Sequence, residues 1–130
     1  MFFIHGWTLT FFGQSVVSER PEAWEHGPLF SSLYYRLRKF EAKAIEMLPE
    51  FQPETCQFVP LVPSKADTRF WFYVDQVLDR YGRFEPDHLS SIARHPGGAW
   101  EETRKAKRTV MSDEVIRKHF ARNAANAAND

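Results

Sequence analysis

Cysteine is all but missing from this chain of 130 residues: Cys56 stands alone, which excludes an internal disulfide and a cysteine-based zinc cluster. A charge of one sign is missing as well. Lys plus Arg number 17 and Asp plus Glu number 17, so no strong overall field draws the molecule toward nucleic acid. Long apolar runs are absent: the most apolar stretch, Met1 to Phe12, is interrupted by His5 and falls short of the roughly 20 residues of a spanning helix. It has no basic leader and no small-residue cleavage site after it, unlike a signal peptide. A cytoplasmic, metal-free protein is the expectation.

Motifs of catalysis are lacking too. His5, His26, His88, His95 and His119 are scattered, with no HExxH and no Cys at ligand spacing. Cys56 has no His, Lys or Arg near it in sequence to lower its pKa, no Ser sits in a G-x-S-x-G elbow, and no glycine-rich loop could cradle a phosphate. The expectation is no catalytic residue, no cofactor and no metal site, and hence no enzyme.

What is abundant is aromatic side chain: twelve Phe, four Trp and four Tyr, 15% of the chain. Most must fill the core of a small domain, and any left outside would anchor a partner. Hydrophobic residues at 43% and charged residues at 26% are those of a chain that folds, and 15.2 kDa suits one domain.

The pattern is mainly helical. Residues 1 to 12 fit either an alternating strand or a helix with Phe3, Trp7 and Phe11 spaced by four, closed by Gly13. Residues 14–18, with Val16 and Val17, read as a short extended, hairpin-like segment. Pro28 opens a helix to about Leu48, on which Leu29, Leu33 and Leu37 form a row. Four prolines then make 49–63 a connector, pinned to the body by Phe51, Phe58, Leu61 and Val62. Ser64-Lys65-Ala66-Asp67, akin to a Ser-x-x-Glu box, supplies a cap-like start for a helix carrying Phe70, Val74, Val77, Leu78 and Tyr81, with Gly82 as a left-handed terminator. Pro86 opens a shorter helix, Trp100 begins another, and Ser112 caps the last, whose early acids and late bases suit the helix dipole. The expected architecture is a single compact helical domain of about five helices over residues 1–122, followed by a disordered Ala/Asn tail at 123–130.

Arg104-Lys105-Ala106-Lys107-Arg108 is the one basic cluster, partly offset by Glu101 and Glu102. A solvated helix face accounts for it, and contact with nucleic acid or an acidic protein patch is the functional alternative.

Several ordered segments resemble one family. They are Phe3-Ile4-His5-Gly6-Trp7, Gly13 to Val17, Glu22-Ala23-Trp24-Glu25-His26-Gly27-Pro28-Leu29, Leu33-Tyr34, Val77 to Gly82, Leu89 to His95, Trp100 to Arg104 and Ser112 to Ile116. Their order and spacing resemble the bacterial and phage Panacea, or SocA-like, antitoxin domains. Family members usually carry a further helix and a Lys-Leu-x-Lys-Leu stretch ahead of the point where this sequence starts, so part of the apolar Met1 to Phe12 face is expected to lie uncovered. Gly98-Ala99 stands where the family often has Ser-Pro.

The resemblance implies a mainly helical, non-enzymatic protein that binds and neutralises a toxin directly or delivers it to a protease, within a toxin–antitoxin, phage or mobile-element system. It makes His5, Gly6, Trp7, Glu22, Trp24, Gly27, Pro28, Tyr34, His95 and Trp100 scaffold residues. Candidate partner contacts are Phe2, Phe3, Phe11, Tyr35, Arg36, Arg104, Lys105, Lys107 and Arg108. The expected partner is another protein, with no membrane involved and self-association left open. The alternatives are an inhibitor of a host defence complex and a nucleic-acid-binding regulator.

Overall fold

The computed structural model describes residues 1–60 and 63–129. Among them are six α-helices and two small two-stranded sheets, the mainly helical fold that the pattern predicts.

Helix α1, Phe2–Phe12, settles the ambiguity of the first twelve residues. It is apolar nearly all round because it is packed on more than one side, by α3 (Thr68–Tyr81) and α6 (Asp113–Asn129). Gly13, at φ 70°, terminates it in the left-handed conformation, and its N–H donates to Leu9 O at 3.0 Å. The α1–α6 crossing depends on Gly6: a Cβ there would lie 2.0 Å from the Phe120 ring. Trp7 and Phe2 meet that same ring edge-on at 5.1 and 5.6 Å, and the Trp7 indole N–H donates to the Tyr81 hydroxyl of α3 at 3.2 Å.

Residues 14–18 form bends with no strand partner, which corrects the extended segment expected there. A strand must pair, and the pairing falls later, between β1 (Glu22–Trp24) and β2 (Gly27–Leu29). Pro28 therefore sits opposite Ala23 in a hairpin and does not open a helix. The following helix, α2, spans only Ser31–Leu37 and gives way to a 3-10 turn at Arg38–Phe40. No residue of α2 is fully buried: Leu33 packs partly on the core, but the apolar residues beyond Leu37 are exposed or half-buried at most, and a helix with so little packing does not propagate to Leu48.

The proline-rich stretch is a hairpin where a plain connector was expected. Strand β3 (Pro49–Gln52) pairs antiparallel with β4 (Gln57–Pro60), Phe51 opposite Phe58. Prolines fit because both strands of a two-stranded ribbon are edges. Phe51 and Phe58 are exposed and touch each other, and neither pins the segment to the body. Leu61 and Val62 lie outside the described residues.

In α3 the Asp67 carboxylate caps the helix by accepting from Phe70 N–H at 3.0 Å. Val74, Val77 and Tyr81 are buried as predicted, but Leu78 is exposed. Gly82 is right-handed, φ −64°, and no left-handed terminator, because the chain continues its turn until Phe84 N–H reaches Tyr81 O and the Phe84 ring joins the core. Helices α4 (Pro86–Ala93) and α5 (Ala99–Lys105) follow the predicted boundaries closely. In α6 the Ser112 hydroxyl accepts from Val115 N–H at 3.3 Å. This helix runs through the Ala/Asn stretch to Asn129 in place of a disordered tail, since alanine is the best helix former and Ala124 packs on the core.

Candidate protein-binding surface

The β1–β2 hairpin is the joint on which the exposed face is built. Gly27, at φ 127°, closes its two-residue turn in a conformation that side-chain-bearing residues rarely adopt. Helix α5 holds the hairpin through its backbone carbonyls: the Trp100 indole N–H donates to Trp24 O at 2.7 Å, and Arg104 Nη1 donates to Ala23 O at 3.0 Å. From α4, the Ser90 hydroxyl donates to His26 O. On the far edge of β1, Ala23 N–H donates to Thr109 O at 2.7 Å and Met111 N–H to Pro21 O at 2.9 Å. The Trp24 indole donates to Glu22 Oε2 at 2.7 Å, which fixes its ring as a platform.

Helix α2 rests on that platform. Tyr34 packs on Trp24 at 5.2 Å, Tyr35 meets Tyr34 at 5.4 Å, and the Arg38 guanidinium lies 5.5 Å over Tyr35. Glu19 anchors the helix start: its carboxylate accepts from the Ser31 hydroxyl at 2.9 Å, from Ser32 N–H at 3.0 Å and from the Ser32 hydroxyl. The Ser32 and Ser31 hydrogen bonds hold the Glu19 carboxyl below its ordinary range. Tyr35, 58% exposed, and the exposed Arg36 project from this rigidly founded helix. Beside it lies a groove of about 520 Å³ whose walls include Phe3, Pro28, Leu33, Leu37, Ile45 and Leu89.

A second groove, about 700 Å³, lies between α1, α3 and the end of α6 and is lined by Trp7, Phe11, Phe72, Tyr73, Arg80 and Ala124. Phe11, 52% exposed, is stacked between Trp7 at 5.8 Å and Tyr73 at 5.4 Å.

The structure divides the candidate contacts named from sequence. Phe11, Tyr35 and Arg36 are exposed, and Phe3 is half-buried, stacked on Tyr81 at 4.2 Å. Phe2 is a core residue, 7% exposed and wedged against Phe120, so it lines only the floor of the groove beside α2. The basic cluster is exposed throughout. Arg104 donates to Ala23 O and lies 5.4 Å over the Trp100 ring, and Lys105 makes a surface pair with Glu101 at 3.0 Å, while Lys107 and Arg108 carry no such tie among the described residues. The structure also brings out groups that the sequence reading does not name as partner contacts: Phe72 and Arg80 on α3, and the paired Phe51 and Phe58, which that reading places against the body. The signal for the latter is Pro49 and Phe51 at alternate positions before Pro53–Cys56, the period of a strand, and an apolar run from Phe58 after it.

His5 and His119 are both buried. His5 Nδ1 lies 3.5 Å from Ser15 Oγ, its Nε2 has no hydrogen-bond partner, and burial lowers its pKa against the opposing pull of Asp113. Serine, histidine and aspartate thus gather here, but the Ser15 hydroxyl donates to Val17 O and the fully enclosed imidazole meets no substrate space. His119 has its pKa lowered by burial, then by Arg122 and His95. The exposed His95 belongs to the turn before α5: its carbonyl accepts from Gly98 N–H at 2.9 Å, and Arg122 Nη2 donates to the neighbouring Gly97 O at 2.8 Å. Among the described residues no three His, Cys, Asp or Glu side chains are grouped to hold a metal ion, and no helix is long and apolar enough to cross a membrane.

No curated protein and no solved structure matches the chain. A family model does, described as the antitoxin SocA-like Panacea domain, over residues 1–101. That span contains α1, the Trp24 hairpin, the α2 face and the Trp100 anchor, and on it the chain belongs to the SocA-like Panacea antitoxin family.

Proposed function

We propose that this chain is a non-enzymatic antitoxin that neutralises a toxin protein by covering the toxin's working surface. The observation that carries the reading is α2. It buries no residue of its own, yet it is braced by Trp24 and Glu19 and presents Tyr35 and Arg36 outward, which is the preorganised aromatic and arginine pair favoured at interface centres. Phe3 and the neighbouring groove extend that surface, and Phe11 offers a second aromatic anchor on the opposite groove. Delivery of the captured toxin to a protease is a variant of this reading that adds a second binding partner, and inhibition of a host defence complex by the same face is one that differs in the target. Nucleic-acid regulation is the weaker reading, because Arg104 is held by the Ala23 carbonyl, Glu101 and Glu102 offset part of the cluster's field, and the chain carries no net charge.

The test is co-expression with the protein encoded by the neighbouring gene. Growth arrest by that protein, relieved by this chain and accompanied by a co-purifying complex, is the expected result. Tyr35→Ala with Arg36→Ala should weaken the complex by about 10- to 30-fold, the scale of hot-spot truncation, with an unchanged melting temperature. Full relief of arrest with no physical complex would refute the reading.

A further inference from the structure

The β3–β4 hairpin is amphipathic in the wrong sense for a free surface. Strand side chains alternate faces, and the register sets Pro49 opposite Pro60 and Phe51 opposite Phe58, so these four residues form one apolar face. The two rings are 5.3 Å apart, and Phe51 is 49% and Phe58 71% exposed. The other face carries Glu50, Gln52 and Gln57, with the half-buried Val59 opposite Glu50. Among the described residues no helix or other strand packs broadly against the ribbon.

Charge indicates what covers it. Glu46, Glu50 and Glu54 are all exposed, and no Lys, Arg or His occurs between Lys43 and Lys65. None of the three carboxylates is in an ion pair within the described part of the chain. A second copy of the chain would bring like charges together, and the two exposed rings offer roughly 250 Å², well short of the roughly 800 Å² per partner of a stable interface. The ribbon suits a cleft better, where both of its faces meet a partner at once.

We propose that this hairpin inserts into a cleft of the partner protein that has an apolar floor for Phe51 and Phe58 and Lys or Arg side chains on its walls for Glu46, Glu50 and Glu54. The proposal rests on the antitoxin reading and adds the chemistry of the surface that the toxin must offer.

Cys56 provides the reporter, being the one cysteine of the chain and exposed in the turn of this hairpin. The full chain is labelled there with an environment-sensitive fluorophore and titrated with the purified neighbouring-gene protein at 50 to 500 mM NaCl. The expected result is a saturable change in emission and an affinity that falls as salt screens the carboxylates. Phe51→Ser with Phe58→Ser should lose at least tenfold in affinity, and the triple Glu46→Gln, Glu50→Gln, Glu54→Gln variant should bind weakly with a flattened salt dependence. Both variants should melt like the parent, since the altered side chains lie outside the core. Hairpin variants that bind and neutralise like the parent would overturn the insertion while leaving the antitoxin reading intact. So would a label that remains solvent-exposed in the complex, or one shielded by raised concentrations of the chain alone. Failure of the unaltered chain to bind would instead defeat the parent reading.

Discussion

Gly6→Ala opposes two effects of known sign. Helix propensity alone favours the change by about 1 kcal/mol, since Gly6 lies inside α1. Packing opposes it, because the new methyl would lie 2.0 Å from Phe120 Cε2 and 2.4 Å from Cδ2 and Cζ, where carbon atoms prefer about 3.5 to 4.0 Å. The Phe120 ring is 1% exposed and hemmed in by Phe2, Trp7 and His119, so it has no free volume to turn into. The helices must separate instead, which places the cost at or above the upper end of overpacking, about 3 kcal/mol. The net loss is then about 2 kcal/mol, and for a domain of this size the melting temperature should fall by roughly 6 to 8 °C. Thermal melts followed by circular dichroism measure it. Phe120→Leu in the Gly6→Ala background should recover part of the loss, giving a favourable coupling energy in a double-mutant cycle. A Gly6→Ala protein as stable as the parent, or more so, would refute the account of this crossing.

Two further outcomes follow from groups that touch no partner. His5 and His119 are buried with lowered pKa values, so each binds its proton more readily in the unfolded chain. Stability from these residues is fully present above pH 6.5 and is lost as pH falls below it, by about 1.4 kcal/mol per pH unit for each histidine until the folded form also protonates. Urea unfolding at pH 7.5 and 5.5 should show this decline, and a flat profile would contradict it. Trp100→Phe removes the indole donor to Trp24 O, strands that carbonyl, and should cost about 1 to 3 kcal/mol in chemical denaturation, with an unchanged value counting against the anchor.

The sequence by itself determined the helical class, the approximate boundaries of α3, α4 and α5, and the cap at Ser112, because these depend on periodicity and on side chains acting within a few residues; the α3 cap it placed in a Ser64 to Asp67 box falls on Asp67 itself. The ordered motifs around Trp7, Trp24 and Trp100 also identified the family from the residues alone. Tertiary structure decided the rest. Pro28 is equally at home at a helix start and in an edge strand, and only the long-range partners Thr109, Trp100 and Arg104 select the hairpin. Phe2 and Phe58 are the same residue type, yet one is core and the other is bare, because Phe120 of α6 packs on Phe2 while no helix covers Phe58 among the described residues. Exposure depends on what other segments cover, and that information is spread across contacts far apart in the chain. For the same reason the surfaces offered to a partner emerged only once the helices were in place.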